Sequence, residues 1–305
     1  MDFVYAIICS VGRAQVLHET VLSVLRQEKS FDKVLLCVVK EDDVLLETRM
    51  LTGVEVLISP RKGLCAQRNY AIESLSDRID RSLVCFFDDD VELERRFFSD
   101  VSRFMRSAED VVAFSCKVIA DGGIDRRSAR VEMEMSRADE SDSFRNTGKH
   151  WILYGCNMVI RGETLRKCPF NEELPLYSYG EDYDISIRLA RFGKVGRFEG
   201  ARLIHLKHEG GRVSEFRRGY SMVANNLHFL KSGVCHVPVS LGYVRLVVVI
   251  VLKEGACDLL QGVRQWVCGG GSLGMDFLGR LKGRAYAVRD ILTGRCHPGR
   301  ILEFS

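Results

Sequence analysis

Three consecutive aspartates, Asp88, Asp89 and Asp90, follow directly on the apolar run Leu83-Val84-Cys85-Phe86-Phe87. Three adjacent carboxylates repel one another unless a positive group sits among them. Hard oxygen ligands of this kind suit Mg²⁺ or Mn²⁺, ions held by one or two carboxylates together with substrate phosphates. A solvated turn could carry the same residues; their place at the end of a buried strand argues for a site. A second acidic group, Glu181-Asp182-Tyr183-Asp184, precedes Ile185, Leu189 and Phe192, whose spacing is helical and ends at Gly193. Glu181 and Asp182 therefore stand at a helix N-terminus. Acidic residues there complement the helix dipole, and the same position could hold a carboxylate as general base for an acceptor hydroxyl. A third group runs from Arg202 to Arg212 and contains His205, His208, Gly210 and Gly211. It offers two histidines as candidate metal ligands and a flexible, arginine-bearing loop that could contact a diphosphate.

The elements that must position these groups alternate along the first hundred residues. Short apolar runs at 4–9, 33–39, 55–58 and 83–87 read as strands, with helical patterns between them, such as Val16, Leu17, Val21, Leu22 and Leu25. Nearly continuous apolar strands alternating with amphipathic helices predict an α/β fold with a mostly parallel sheet covered on both faces. In such sheets ligands bind outside the carboxyl ends of the strands. Each polar cluster lies at such an end: Ser10 to Arg13, Lys40 to Asp43, Arg61 to Gly63, and Asp88 to Asp90. Residues 120–150 are polar and read as a mobile surface excursion near the site. Regular structure resumes at Trp151, and the last ninety residues are helical in pattern.

Composition limits the alternatives. The chain has 305 residues, 46% hydrophobic and 28% charged, with a net charge of +3. That suits one large α/β domain or two small ones and gives no reason to expect a nucleic-acid partner. The eleven cysteines show no metal or disulfide spacing and several sit inside apolar runs, as expected of small hydrophobes in a reducing compartment. The N-terminus reads as a first strand rather than a signal peptide, and no apolar stretch reaches the roughly 20 residues that span a bilayer. A cytoplasmic location is expected, with the inner face of the membrane left open.

Taken in order, these segments resemble the inverting glycosyltransferases of family 2, which have the GT-A fold. The resemblance covers about residues 3 to 212. It rests on Lys62-Gly63-Leu64-Cys65-Ala66-Gln67-Arg68-Asn69 as a glycine-then-Arg-Asn helix start and on Phe86-Phe87-Asp88-Asp89-Asp90 as a D-x-D metal motif. Gly180-Glu181-Asp182-Tyr183-Asp184, with Arg188, Leu189 and Gly193, matches the "ED" base motif, and Gly155-Cys156-Asn157-Met158 fits the segment before it. The resemblance implies that Ser10 and Arg13 line the nucleotide pocket, that Glu41 or Asp42 meets the base, and that Arg68 and Asn69 fix the nucleotide. Asp88 would contact the ribose; Asp90, with Asp89 undecided, and His205 or His208 would bind a divalent cation, Mn²⁺ or Mg²⁺. Asp182 would be the base and Glu181 its neighbour, with Asn157 and Arg212 near acceptor or diphosphate.

Two departures matter. Lys40-Glu41-Asp42-Asp43 lacks the serine-rich pattern common after the second strand, and no Q-x-x-R-W motif or transmembrane bundle follows, which argues against a processive polysaccharide synthase. The expected organisation is a GT-A catalytic domain over 1–213 and a helical region over 214–305. The helical region carries Lys231, Arg245, Lys253, Arg264, Arg280, Lys282, Arg284 and Arg289 and an apolar run at 247–252. A basic, apolar-faced region could lie on an anionic membrane, pack on the catalytic domain, or form a homodimer contact. The expected partners are a UDP- or dTDP-type sugar donor and a sugar or lipid-linked sugar acceptor, as in bacterial surface-polysaccharide assembly. Two other functions compete: a nucleotidyltransferase, disfavoured because only Ser10-Val11-Gly12-Arg13 follows the first strand, and a non-catalytic sugar-nucleotide binder, which would not need Asp182.

Overall fold

The computed structural model describes residues 3–135, 143–146, 151–208, 210, 213–235, 241–242, 246, 252–253, 255–257, 260 and 274–304. By its internal contacts the chain forms two units, Met1–Phe170 with Ile185–Gly211, and Asn171–Asp184 with Arg212–Ser305.

The first unit is built on one sheet. Its strands are β1 (Phe3–Cys9), β2 (Lys33–Val38), β3 (Val54–Ile58), β4 (Ser82–Phe87), β5 (Val91–Leu93), β6 (Val111–Asp121), β7 (Phe144–Arg145), β8 (Asn157–Arg161) and β9 (Lys194–His205). They lie in the order β3-β2-β1-β4-β8-β6-β9-β5, with β7 paired to β9. The four apolar runs foreseen from sequence are the parallel half, β3-β2-β1-β4. β8 runs antiparallel to both β4 and β6, β9 is parallel to β6, and β5 and β7 are antiparallel to β9. Four of the eight described pairings are parallel and four antiparallel, so the sheet is mixed, and the expected parallel arrangement holds for β3-β2-β1-β4 and for β6 with β9.

Every residue of β4 is buried, which requires cover on both faces and explains its unbroken apolar sequence. Helix α1 (Ala14–Leu25) buries Leu17, Val21 and Val24 in a core with Ile8, Leu36, Phe87 and Phe114. The short α2 (Leu46–Arg49), α3 (Leu64–Ser74), α4 (Phe97–Ser107) and α6 (Gly162–Lys167) complete the described cover of the first half. The described cysteines are free thiols and most are buried; burial pushes the Cys85 thiol well up, so it behaves as a small hydrophobe.

The segment read as a surface excursion is more ordered than expected. β6 continues to Asp121, helix α5 (Arg126–Met135) follows, and β7 adds two residues beside β9. α5 buries only Ala129 and Met133. Its Arg126 and Arg130 instead reach the buried carboxylate of Glu92, at 2.7 and 2.9 Å. These ion pairs add to an apolar contact in which Ala129 and Met133 pack with Ile204 of β9.

The second unit contains helix α8 (Glu215–Lys231) and helix α9 (Gly274–Leu292). The Ser214 side chain caps α8 by accepting from the Arg217 N–H, an orphan donor of the first turn. Tyr220, Val223 and Leu227 pack with Ala287 and Ile301. α8 and α9 approach closely. A Cβ on Gly219 would stand 2.1 Å from the Arg280 carbonyl oxygen, and one on Gly283 would stand 2.0 Å from that of Phe216. Only glycine fits there. The apolar run at 247–251 and Arg245 and Arg264 lie outside the described residues. Helix α7 (Glu181–Leu189) spans the division, which falls after Asp184.

Candidate active site

Strand direction brings the carboxyl ends of β1, β4, β6 and β9 to one edge. The register sets Ile8 beside Phe87, Phe87 beside Asn157, and Asp121 beside His205. The residues immediately beyond these ends form the site.

The triple aspartate splits. Asp89 is fully buried and turns toward α1, where its carboxylate meets the Ser10 hydroxyl and the Arg13 guanidinium, whose Nε donates at 3.0 Å. The Thr20 hydroxyl donates to the Asp89 carbonyl at 2.7 Å and ties the same turn to α1. Burial pushes Asp89 up to about 7, against the pull of Arg13 and Ser10. Among the described residues, Asp88, Asp90 and His205 form a group able to hold a metal ion, with one ligand atom from each lying within 4.8 Å of the others. His205 Nε2 is 3.3 Å from Asp90 Oδ1 and 3.7 Å from Asp88 Oδ2.

The donor set fits a hard divalent cation of the Mg²⁺ or Mn²⁺ kind. Asp90 Oδ1 is buried and makes no hydrogen bond of good geometry among the described residues. Asp90 Oδ2 is held, accepting the His208 N–H at 2.8 Å. The His205 ring has Nδ1 against Asp121 at 2.9 Å, which leaves Nε2 on the side of Asp88 and Asp90.

Burial and neighbouring charges oppose one another at each of these groups. Burial raises Asp88, against the nearby Arg68 guanidinium. Burial also works against ionisation of Asp90, yet His205, Arg13 and the His208 N–H hold it below the ordinary range. His205 is pulled down by burial, but Asp90, Asp88 and Asp121 together leave it raised. A cation between Asp88 and Asp90 would relieve the repulsion between these two carboxylates.

The remaining predicted residues divide. Arg68 is 2% exposed; its Nη2 donates to the Gly155 carbonyl at 3.1 Å and stands 3.8 Å from Asp88, with the Phe86 and Phe170 rings beneath it. The side chains of Asn69 and Asn157, expected at the nucleotide and at acceptor or diphosphate, bond backbone groups of the fold. The Asn69 amide accepts from the Phe170 N–H and donates to its carbonyl, both at 2.9 Å. Asn157 is fully buried and its Oδ1 accepts from the Cys116 N–H at 2.5 Å, linking β8 to β6. Asp89, left undecided for the metal, stands outside the metal-capable group because Ser10 and Arg13 occupy its carboxylate. Of the two histidines, His205 belongs to the group, while His208 contributes its backbone N–H and its ring accepts from the Gly210 N–H at 3.2 Å.

Glu41 and Asp42 are exposed on a short turn, with Glu41 paired to Arg49 at 2.5 Å. Their neighbour Asp43, not singled out from sequence, is buried and accepts from the N–H groups of Gly12, Val39 and Lys40 at 2.8, 3.3 and 3.0 Å. It joins the loops after β1 and β2, and Gly12 meets it with φ +70°, a conformation that favours glycine. Glu181, buried, and Asp182, half-buried, open α7 in the second unit, where Asp182 Oδ1 accepts from the Tyr183 N–H at 2.8 Å. Arg212 lies outside the described residues. Asp121 also escaped the sequence reading, although the rule that found Asp88, a polar residue closing an apolar run, applies to it.

A sequence model described as glycosyltransferase like family 2 matches residues 2–201. The chain belongs to that family. The enzyme is accordingly a glycosyltransferase, and solved structures agree on its fold. S. aureus TarS 1-349 in complex with UDP-GlcNAc is 12% identical with a TM-score of 0.55, covering 96% of this chain and 92% of that one. The Pyrobaculum calidifontis mannosyltransferase PcManGT with GDP-Man and Mn²⁺ is 14% identical at a TM-score of 0.54, covering 95% of this chain and 86% of that one. GalNAc-T7 with UDP, GalNAc and Mn²⁺ is 13% identical at 0.55; the match covers 80% of this chain and 53% of that one, so the enzyme spans about half of it. At such identities the likeness is one of fold, the GT-A fold. No curated protein matches the sequence.

Proposed function

We propose that the enzyme transfers a sugar from a nucleoside-diphosphate sugar to an acceptor hydroxyl in one metal-assisted displacement that inverts the anomeric centre. The observation that carries this reading is the Asp88–Asp90–His205 group at the carboxyl edge of the sheet of a family-2 chain. Mn²⁺ or Mg²⁺, held by these three side chains, would supply the charge that neutralises the leaving diphosphate. Ser10, Arg13, Arg68 and the loop bearing Glu41 and Asp42 would border the nucleotide, with Asp88 toward the ribose. The Arg13–Asp89 pair fixes the turn so that Asp88 and Asp90 keep their direction. Asp182 is the proposed general base, taking the proton of the acceptor hydroxyl, with Glu181 as its neighbour. The donor is proposed to be UDP- or dTDP-linked and the acceptor a sugar or lipid-linked sugar of bacterial polysaccharide or glycolipid assembly.

The test is a thermal-shift panel of UDP, GDP, dTDP and CDP, each with and without Mn²⁺. A ligand at 100 times its Kd stabilises the folded state by about 2.7 kcal/mol. One nucleotide is expected to raise the melting temperature, and to do so only with metal. No shift with any of the four would sink the reading.

A lipid-linked acceptor would bring the enzyme to the inner face of a membrane. Contact is proposed to be peripheral, through Lys231, Arg280, Lys282 and Arg289 of the second unit; no described helix is long and apolar enough to cross a membrane. The protein is expected to sediment with anionic liposomes at low salt and to be released as salt rises. Failure to sediment would remove the membrane from the proposal.

A further inference from the structure

We infer that Asp121 is the positioning residue of the metal centre, fixing the His205 ring so that Nε2 faces Asp88 and Asp90. This rests on the metal-assisted reading above. An imidazole offers a metal one nitrogen only when the other carries the proton or stays out of the way. Nothing intrinsic to histidine selects which nitrogen that is; a hydrogen bond to the other nitrogen selects it.

The fold supplies that bond through register. β6 and β9 run parallel and end together, with Asp121 beside His205, and the Gly122 N–H donates to the His205 carbonyl at 2.8 Å. Asp121 Oδ1 then lies 2.9 Å from His205 Nδ1. A carboxylate only accepts, so this contact commits Nδ1 to N–H. Nε2 is left on the opposite side of the ring, the side of Asp88 and Asp90, where a bound cation would take the place of its proton.

Asp121 is itself oriented. The Tyr154 hydroxyl donates to Oδ1 at 2.8 Å, and Lys207 Nζ reaches Oδ2 at 2.5 Å. Lys207 comes from the turn just past β9, at φ +55°, and its side chain packs against Gly122, where a Cβ would stand 3.1 Å from Lys207 Cδ. The ammonium also offsets the charge of Asp121, so a carboxylate that touches no ligand atom of the group except through His205 need not add to the repulsion between Asp88 and Asp90. Two donors on one carboxylate and one carboxylate on one ring nitrogen make a chain with a single direction. It runs from Lys207 and Tyr154 through Asp121 to His205, and the Tyr154 hydroxyl also lies 3.5 Å from His205 Nδ1.

Asp121 could instead act on a cation by charge alone, or merely tie two strand ends together. Mn²⁺ affinity, read by electron paramagnetic resonance without nucleotide, and the tautomer of His205, read by side-chain ¹⁵N NMR of the metal-free protein at alkaline pH, separate these roles. In the wild type His205 is expected as the Nδ1–H tautomer. Asp121→Ala is expected to weaken Mn²⁺ binding by about 10- to 100-fold and to shift His205 away from that tautomer. Affinity within a factor of two of the wild type overturns the inference. So does a loss of affinity with the tautomer unchanged, which would leave charge as the only effect. If Asp121→Ala fails to fold by circular dichroism, Tyr154→Phe removes one of the two donors that orient Asp121. It is expected to weaken Mn²⁺ several-fold, and unchanged affinity again overturns the inference. A wild type that binds no Mn²⁺ sinks the metal reading itself, an outcome distinct from a wild type that binds metal and a variant that binds it equally well.

Discussion

Asp182→Asn is expected to cut sugar transfer by about 10² to 10⁴-fold, the usual contribution of a positioned general base, while donor binding survives. The substitution is nearly isosteric. Asparagine keeps an oxygen that can accept the Tyr183 N–H, now 2.8 Å from Asp182 Oδ1, so the first turn of α7 retains its local bond. What is lost is the capacity to take a proton. Glu181→Gln, one residue earlier and more buried, is expected to fall less, because Glu181 is proposed as a neighbour of the base. The measurement pairs single-turnover transfer from labelled donor with nucleotide affinity on the same preparation. A lower rate at unchanged affinity marks an interaction made in the transition state. Unchanged transfer would remove Asp182 from the mechanism, and a wild type that binds donor without transferring it would make the protein a binder.

The parts of the fold that read well from sequence are those decided by short apolar runs. β1 and β4 are nearly continuous in apolar residues because both faces of the sheet are covered, and the polar residues that close them, Ser10 and Asp88, are where the chain leaves the core. The same logic reached His205, at the end of β9. It could not choose between His205 and His208. The choice depends on β9 stopping at His205, where the strand pairs with Val91 and Asp121, and on the turn at Lys207 beyond it.

Long-range partners account for what did not read. Helix α5 looked like loop because its anchors are Arg126 and Arg130, and their partner Glu92 lies 34 and 38 residues earlier. Asn69 and Asn157 sit at motif positions and carry polar groups, which invites a ligand-binding role. Their amides bond backbone 101 and 41 residues away, and no local pattern separates that use from contact with a nucleotide. Asp121 differs, since it closes the run of β6 and could have been read locally; only its partner His205, 84 residues on, depends on the strand beside it.

Asp90→Asn separates the two functions of the acidic edge, stability and chemistry. In the metal-free protein the melting temperature is expected to change little. Asparagine can still accept the His208 N–H that Asp90 Oδ2 now accepts at 2.8 Å. The lost attraction to His205 and Arg13, at 3.3 and 3.6 Å, is partly offset because a buried charge is removed with it. With Mn²⁺ the outcome reverses. The wild type is expected to gain stability by RT ln(1 + [Mn²⁺]/Kd), and the variant to lose most of that gain because the buried Oδ1 no longer carries charge. Transfer is expected to fall by about 10² to 10⁴-fold, since a bound cation contributes several kcal/mol of charge stabilisation and each 1.4 kcal/mol is tenfold in rate. Chelation of metal from the wild type by EDTA should reproduce the loss of activity without the substitution. A variant that keeps both its Mn²⁺-dependent shift and its activity would show that Asp90 is not a ligand. A variant strongly destabilised without metal would show that its carboxylate holds the loop.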